Sequence, residues 1–156
     1  MALLYINNNG EVLKNEGAVL ASANRGHLYG DGLFESIRVK NGKPINLEPH
    51  ILRMLEGAIA LKMRVPSFFT VSFFEERIME LLSASSIHDG GKVRISLDRV
   101  SGGTYKPTSN EVTYLIEVYP LDTNDYELNQ RGWEIDLFTT IRKHKNRLSN
   151  YKTKNG

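Results

Sequence analysis

The chain has 156 residues, the length of a single ordinary domain. Its 20 lysines and arginines against 18 acidic residues leave a net charge of +2, which excludes a uniformly basic nucleic-acid binder and an acidic, solvating chain. Cysteine is absent, so disulfides, thiolate metal ligands and cysteine nucleophiles are excluded as well. No apolar run approaches the roughly 18 residues that span a membrane, and the amino terminus lacks the pattern of a signal peptide. We therefore expect a cytoplasmic protein without membrane association.

The first part of the chain predicts short strands joined by turns. Residues 2–6 and 11–13 read as two strands around an Asn-rich turn, and the apolar run 18–23 suggests a third. Residues 33–39 alternate, so that the odd-numbered positions share one face of a strand and the even-numbered positions share the other. Asn41-Gly42 is a strong signal for a two-residue hairpin that follows this strand.

Two amphipathic helices are predicted next. Apolar residues recur about every four positions over 47–63, with Asn46 as the expected cap and Pro49 tolerated in the first turn. Ser72 followed by Glu75 has the pattern of a capping box and opens a second helix, which we expect to end near residue 85. Its inward face would carry Phe74, Ile78, Leu81 and Leu82.

The remainder predicts two more strands and a change of composition. Residues 92–97 and 112–119 read as strands joined by a glycine-rich loop. Residues 121–131 look like a linker, and the run 133–141 resembles a strand. The order of these elements predicts an α+β fold, with a small domain over 1–120 that combines an antiparallel sheet and two helices. After the linker, residues 132–156 would begin a second domain that this sequence leaves incomplete.

Several residues could carry chemistry, and each also has a plain structural interpretation. Tyr29-Gly30-Asp31-Gly32 precedes a strand rather than a helix, which argues for a turn and against a phosphate-binding loop. Arg53 shares a helix face with His50 and could bind a phosphate, or it could be a solvated helix arginine. Arg99 leads from a strand into the glycine-rich loop, where an arginine could hold a carboxylate or stabilise a surface hairpin.

The carboxy-terminal segment 142–156 has six lysines and arginines and no acid. Lys152 could act as a nucleophile if burial or neighbouring cations favoured its neutral form, and otherwise it is an exposed lysine in a basic tail. The same cations, with Tyr151 interleaved, leave open a rival function in which the tail binds RNA or another polyanion.

Taken together, these segments resemble the fold-type IV pyridoxal-phosphate enzymes, also called class IV aminotransferases. Five segments match in order and cover most of the chain, which makes the resemblance specific although each segment alone is weak. They are Arg25-Gly26 before Gly30-Asp31-Gly32-Leu33-Phe34-Glu35, Asn41-Gly42-Lys43, His50-Ile51-Leu52-Arg53, Arg99 before Ser101-Gly102-Gly103, and Ser149-Asn150-Tyr151-Lys152-Thr153-Lys154-Asn155.

The resemblance implies a cofactor, a partner and a second domain. Lys152 would hold pyridoxal 5'-phosphate as a Schiff base and later transfer a proton, while Arg53 would bind the cofactor phosphate. The family's second domain is an α/β barrel, and most of it, including the glutamate that pairs with the pyridine nitrogen, would lie beyond residue 156. Family members are usually homodimers, so we expect a homodimer that acts on a small amino substrate, with no nucleic-acid partner.

The resemblance also implies a substrate pocket. Phe34 and Arg38 would line it, and Arg99 and Tyr105 would contact the substrate carboxylate. Ser36, where branched-chain aminotransferases usually have glycine, and the Ser101-Gly102-Gly103 motif look more like aminodeoxychorismate lyases. Those enzymes split aminodeoxychorismate into p-aminobenzoate and pyruvate in folate synthesis. A branched-chain or D-amino acid aminotransferase is the alternative.

Overall fold

A computed structural model describes residues 5–17, 19–137, 139–140 and 145–155 of the chain. Within these residues the protein has the predicted α+β fold, built on a six-stranded antiparallel sheet in the order β2-β1-β6-β5-β3-β4. The elements in chain order are β1 Tyr5–Asn8, β2 Glu11–Lys14, α1 Arg25–Tyr29, β3 Gly32–Lys40, β4 Lys43–Pro44, α2 Leu47–Ala60, α3 Val71–Ala84, β5 Gly91–Arg99 and β6 Val112–Pro120.

The core lies between one face of the sheet and the two long helices. The odd-numbered positions of β3 share one face as expected, and the structure shows that this face is buried. Its apolar residues pack with inward residues of β5 and β6. The predicted inward face of α3 is confirmed, since Phe74 and Ile78 are fully buried. Burying a side chain of this size stabilises the fold by roughly 1.5–3 kcal/mol. None of the helices in the described parts of the chain is long and apolar enough to cross a membrane.

Helix caps differ in detail from the sequence-based expectation. Asn46 does precede α2, but it has a left-handed backbone with φ of 52° and its side chain makes no capping hydrogen bond. The cap of α3 is Thr70 and not Ser72, because the Thr70 hydroxyl accepts from the Phe73 amide at 3.1 Å. The hairpin at Asn41-Gly42 is confirmed, with positive φ at both residues.

Two strand predictions are wrong within the described residues. Residues 19–23 form no strand; instead the short helix α1 follows, capped by Asn24 and ended by Gly30 in a left-handed conformation with φ of 62°. Residues 133–137 and 139–140 form no strand either, and Trp133 is 82% exposed. Neither described segment pairs with a strand of the sheet, and local β propensity alone does not make a strand. Residues 18, 138 and 141 of these predictions lie outside the described residues.

The edge of β3 is only partly covered by β4, which pairs with Val39 and Lys40 alone. At the other end of β3, the carboxy-terminal segment 152–154 pairs with it: Thr153 forms an antiparallel bridge with Leu33. This contact brings Lys152 against the sheet. The described residues of 121–140 form no helix or strand, and the division into domains stays a prediction.

Candidate active site

A buried carboxylate on β3 holds several cationic side chains together. The side chain of Glu35 is only 1% exposed, and it accepts two hydrogen bonds from Arg53, from Nε at 2.7 Å and from Nη2 at 2.6 Å. His50 Nδ1 lies 2.7 Å from the same carboxylate. Because an ionised carboxylate only accepts hydrogen bonds, Nδ1 carries the proton in this contact. Glu35 therefore orients the side chains of Arg53 and His50, which both lie on α2.

The pKa of Glu35 reflects two opposing effects. Burial would raise it, but the hydrogen bonds from Arg53 and His50 and the positive charges of Arg53 and Lys152 outweigh burial, so the pKa lies below its ordinary value of 4.5. The hydrogen bond to Glu35 raises the pKa of Arg53 in turn. Glu35 is therefore an anion at neutral pH that stabilises the cations around it.

Lys152 joins this cluster from the carboxy-terminal segment. Its Nζ lies 3.7 Å from Glu35 Oε2 and 5.8 Å from the centre of the Phe34 ring. Phe34, Arg53 and Lys152 line one open cleft of about 630 Å³, whose remaining wall is formed by the tail from Asn146 to Asn155. The structure thus brings together three of the six side chains that the resemblance places in the site.

Arg38 lies on the same face of β3 as Phe34 but contacts a different region. Its Nη2 donates to the backbone carbonyl of Thr123 and, at 3.3 Å, to that of Asp125. Its guanidinium also lies over the Tyr126 ring, 5.0 Å from the centroid. In this structure Arg38 ties the sheet to the segment after β6 and does not line the cleft.

Arg99 is engaged inside the domain. It is 6% exposed, and its guanidinium donates to Asp31 at 2.9 Å, to Asn110 at 2.6 Å and to the carbonyl of Leu61 at 2.8 Å. Arg25 also donates to Asp31, at 2.8 Å, so one carboxylate joins two buried arginines. These contacts hold the glycine-rich loop and the α1 turn against the sheet.

Tyr105 projects from the glycine-rich loop. It is 93% exposed and lies 6.1 Å, ring centre to ring centre, from Tyr29. Both rings line a second cleft of about 590 Å³, together with Arg99 and Asn155. Asn155 lines both clefts, so the tail borders each of them.

The sequence-based reasoning did not single out Glu35 as a site residue. A signal was available, because Glu35 occupies an odd-numbered, inward position of an alternating strand. A carboxylate is almost never fully buried unless it is paired. The inward position therefore indicated a partner, although not which residue it is.

Comparison with known proteins identifies the family of this chain. The family model for amino-transferase class IV matches residues 32–155, and the chain belongs to this family. Its members among known proteins include pyridoxal-phosphate-dependent aminotransferases and lyases.

The named relatives of this chain have more than one activity. The aminodeoxychorismate lyase of Bacillus subtilis (strain 168) is 30% identical over 135 residues, covering 83% of this chain and 44% of that protein. The D-alanine aminotransferase of Staphylococcus haemolyticus is 30% identical over 83 residues, covering 53% of this chain and 29% of that protein. The chain therefore spans less than half the length of these relatives.

Solved structures agree on the fold. The branched-chain aminotransferase of Thermoproteus uzoniensis, crystallised with norvaline, superposes with a TM-score of 0.67 at 19% identity. The match covers 75% of this chain and 40% of that one. Similarity at this level of identity establishes the shared fold alone.

Proposed function

We propose that this chain supplies the cofactor lysine and the phosphate-binding arginine of a pyridoxal-phosphate-dependent enzyme that acts on a small amino substrate. The observation that carries the proposal is the convergence of Lys152, Arg53 and Phe34 on one cleft, with Glu35 between the two cations. These residues come from β3, α2 and the tail, which are far apart in the sequence.

The donor set of the cleft fits pyridoxal phosphate. Glu35 occupies Nε and Nη2 of Arg53, while Nη1 has no hydrogen-bond partner within the described residues and remains available for a phosphate oxygen. The Phe34 ring offers apolar surface for a pyridine ring, and Lys152 offers a primary amine. A volume of about 630 Å³ lies within the range of small-molecule sites.

The chain's own residues would perform defined tasks. Arg53 would bind the phosphate through charge-assisted hydrogen bonds, oriented by its two bonds to Glu35. The amine of Lys152 would hold the cofactor and then move a proton at the substrate. When bound, pyridoxal phosphate supplies the electron sink for the reacting carbon. Phe34 would exclude water from one side of the reacting group.

Within the family, we propose aminodeoxychorismate lyase as the activity. The relative from Bacillus subtilis matches 83% of this chain, against 53% for the D-alanine aminotransferase of Staphylococcus haemolyticus. Ser36 and the Ser101-Gly102-Gly103 motif point the same way. The alternative is amino transfer to a D-amino acid or branched-chain substrate. A polyanion-binding tail has less support, because Lys152 and Lys154 both lie in ion pairs with carboxylates of the domain.

The proposal is tested by pyridoxal-phosphate titration of the full-length natural protein, followed by cofactor absorbance. Arg53→Ala should weaken binding about tenfold or more, the effect of losing one charge-assisted hydrogen bond to a phosphate. Arg64→Ala is the matched control, since Arg64 is an exposed arginine paired with Glu111 on the surface. Equal affinity of Arg53→Ala and the natural protein would remove Arg53 from the site.

The finer proposal is tested by product analysis on the same protein. Release of p-aminobenzoate from aminodeoxychorismate supports the lyase. Transfer of an amino group to a keto acid without p-aminobenzoate release would replace it with the aminotransferase.

A further inference from the structure

The carboxy-terminal segment 152–154 is attached to β3 by a short backbone ladder. Phe34 N donates to the Lys152 carbonyl at 2.9 Å, and Lys154 N donates to the Gly32 carbonyl at 2.9 Å. Two hydrogen bonds specify the register of the segment on β3 only weakly. A slip by one residue would turn every side chain of the segment to the opposite face. Such a slip would take the amine of Lys152 away from the cleft.

A buried ion pair lies directly beside this ladder. Lys154 Nζ is 2.6 Å from Asp98 Oδ1, and the two side chains are 15% and 4% exposed. The other carboxylate oxygen of Asp98 accepts from Asn24 Nδ2 at 3.1 Å. Because a buried charge without a partner is strongly destabilising, Asp98 disfavours a one-residue slip, which would turn Lys154 to the opposite face and leave the carboxylate without its cation.

The surroundings of Asp98 hold its carboxylate in one place. Gly26 and Gly32 flank it so closely that a Cβ atom at either position would overlap the carboxylate. Gly32 is also the residue whose carbonyl accepts from Lys154 N. Main chain and side chain of Lys154 are therefore fixed at the same point of the sheet.

We propose that the Asp98–Lys154 ion pair is a positioning device that sets the register of the tail on β3 and thereby aims Lys152 into the cleft. In an extended segment, residues two apart point to the same face, so fixing Lys154 also fixes the direction of Lys152. Lys154 is thus a positioning residue that acts through Lys152. The inference deepens the proposed function and rests on it only for the role of Lys152.

The first test is amide hydrogen exchange in the natural protein and its variants, which needs no cofactor. Lys154→Met should speed exchange of the Phe34 amide by about tenfold or more, because this amide donates to the tail. Amides of the β5–β6 pair should keep their protection. Lys154→Arg should restore slow exchange at Phe34, since arginine can keep the ion pair. Lys145→Met, a change of an exposed lysine in the same tail, is the matched control and should have no effect.

Asp98→Asn provides a second variant of unchanged shape if Lys154→Met destabilises the whole domain. It should loosen the Phe34 amide in the same way. Unchanged exchange at Phe34 in both variants, or an equal increase in Lys145→Met, would overturn the proposal.

The second test measures the initial rate at which pyridoxal phosphate attaches to Lys152. Samples are reduced with borohydride at successive times, which makes the attachment permanent so that it can be counted. We expect this rate to fall in Lys154→Met, to recover in Lys154→Arg and to be unchanged in Lys145→Met. A rate in Lys154→Met equal to that of the natural protein would refute positioning of Lys152. If the natural protein takes no label at Lys152, the proposed function fails, and the exchange experiment still decides whether the ion pair sets the register.

Discussion

Replacing Glu35 by glutamine should destabilise the domain while preserving its shape. The substitution removes the negative charge from a buried side chain that accepts two hydrogen bonds from Arg53 and one from His50. Breaking a fully buried pair costs roughly 3–5 kcal/mol. The Arg53 side chain is 37% exposed and can be rehydrated, so we expect a smaller loss of about 2 kcal/mol in the free energy of unfolding. For a chain of this length that corresponds to a fall in Tm of about 4–8 °C.

Urea unfolding followed by far-ultraviolet circular dichroism measures this loss. Trp133 is exposed, so its fluorescence is a poor reporter of the core. The matched control is Glu56→Gln, which removes a charge from an exposed position of α2 and should change the free energy of unfolding by less than about 0.5 kcal/mol. A loss below about 0.5 kcal/mol for Glu35→Gln would refute the view that Glu35 organises the site.

The same variant carries a pH signature. The pKa of Glu35 in the folded protein is below its ordinary value of 4.5, so its contribution to stability is complete above that value and is lost as the pH falls through the folded pKa. The difference between the natural protein and Glu35→Gln should therefore be constant near neutral pH and shrink in acid. A difference that stayed constant down to about pH 3 would contradict this assignment.

Further stability predictions use the same urea assay. Phe74→Ala should cost about 3–5 kcal/mol because the ring is fully buried, whereas Phe68→Ala, at 59% exposure, should cost less than about 1 kcal/mol. Thr70→Ala should cost about 1 kcal/mol by removing the cap of α3. Gly42→Ala should cost about 1–2 kcal/mol because φ is +67° at this position. Arg99→Met should cost about 3 kcal/mol, since it removes the hydrogen bonds of a buried guanidinium. A negligible loss would show that these bonds do not stabilise the fold, and a role of Arg99 in substrate binding would then be favoured.

The sequence predicted most of the fold because its periodic patterns are strong. The alternation of residues 33–39 and the four-residue spacing over 47–63 both correspond to elements of the structure, β3 and α2. The helix α1 was not predicted, because Tyr29-Gly30-Asp31-Gly32 indicated a turn at this place. In the structure Asn24 caps this helix and Gly30 ends it. Only five residues lie between these two end signals, which is too short for a helical periodicity to be recognised in the sequence.

The candidate site was only partly predictable, because its decisive contacts join distant parts of the chain. The three-residue spacing of His50 and Arg53 predicted a shared helix face, and both do contact Glu35. No spacing rule connects Asp98 with Lys154, which meet only after the tail pairs with β3. Arg99 illustrates the opposite problem. The sequence shows an arginine at a strand end, but the carboxylate and carbonyls that occupy it appear only in the folded structure.

The central claim is that Lys152 is the lysine that holds the cofactor. The most direct measurement is to add pyridoxal phosphate to the full-length natural protein, reduce with borohydride and locate the modified lysine by peptide mass spectrometry. We expect the label on Lys152, and Lys152→Ala should abolish it, with Lys145→Ala as the control that leaves it intact. A label spread over Lys145 and Lys154 as well, or no label on a folded protein, would contradict the account.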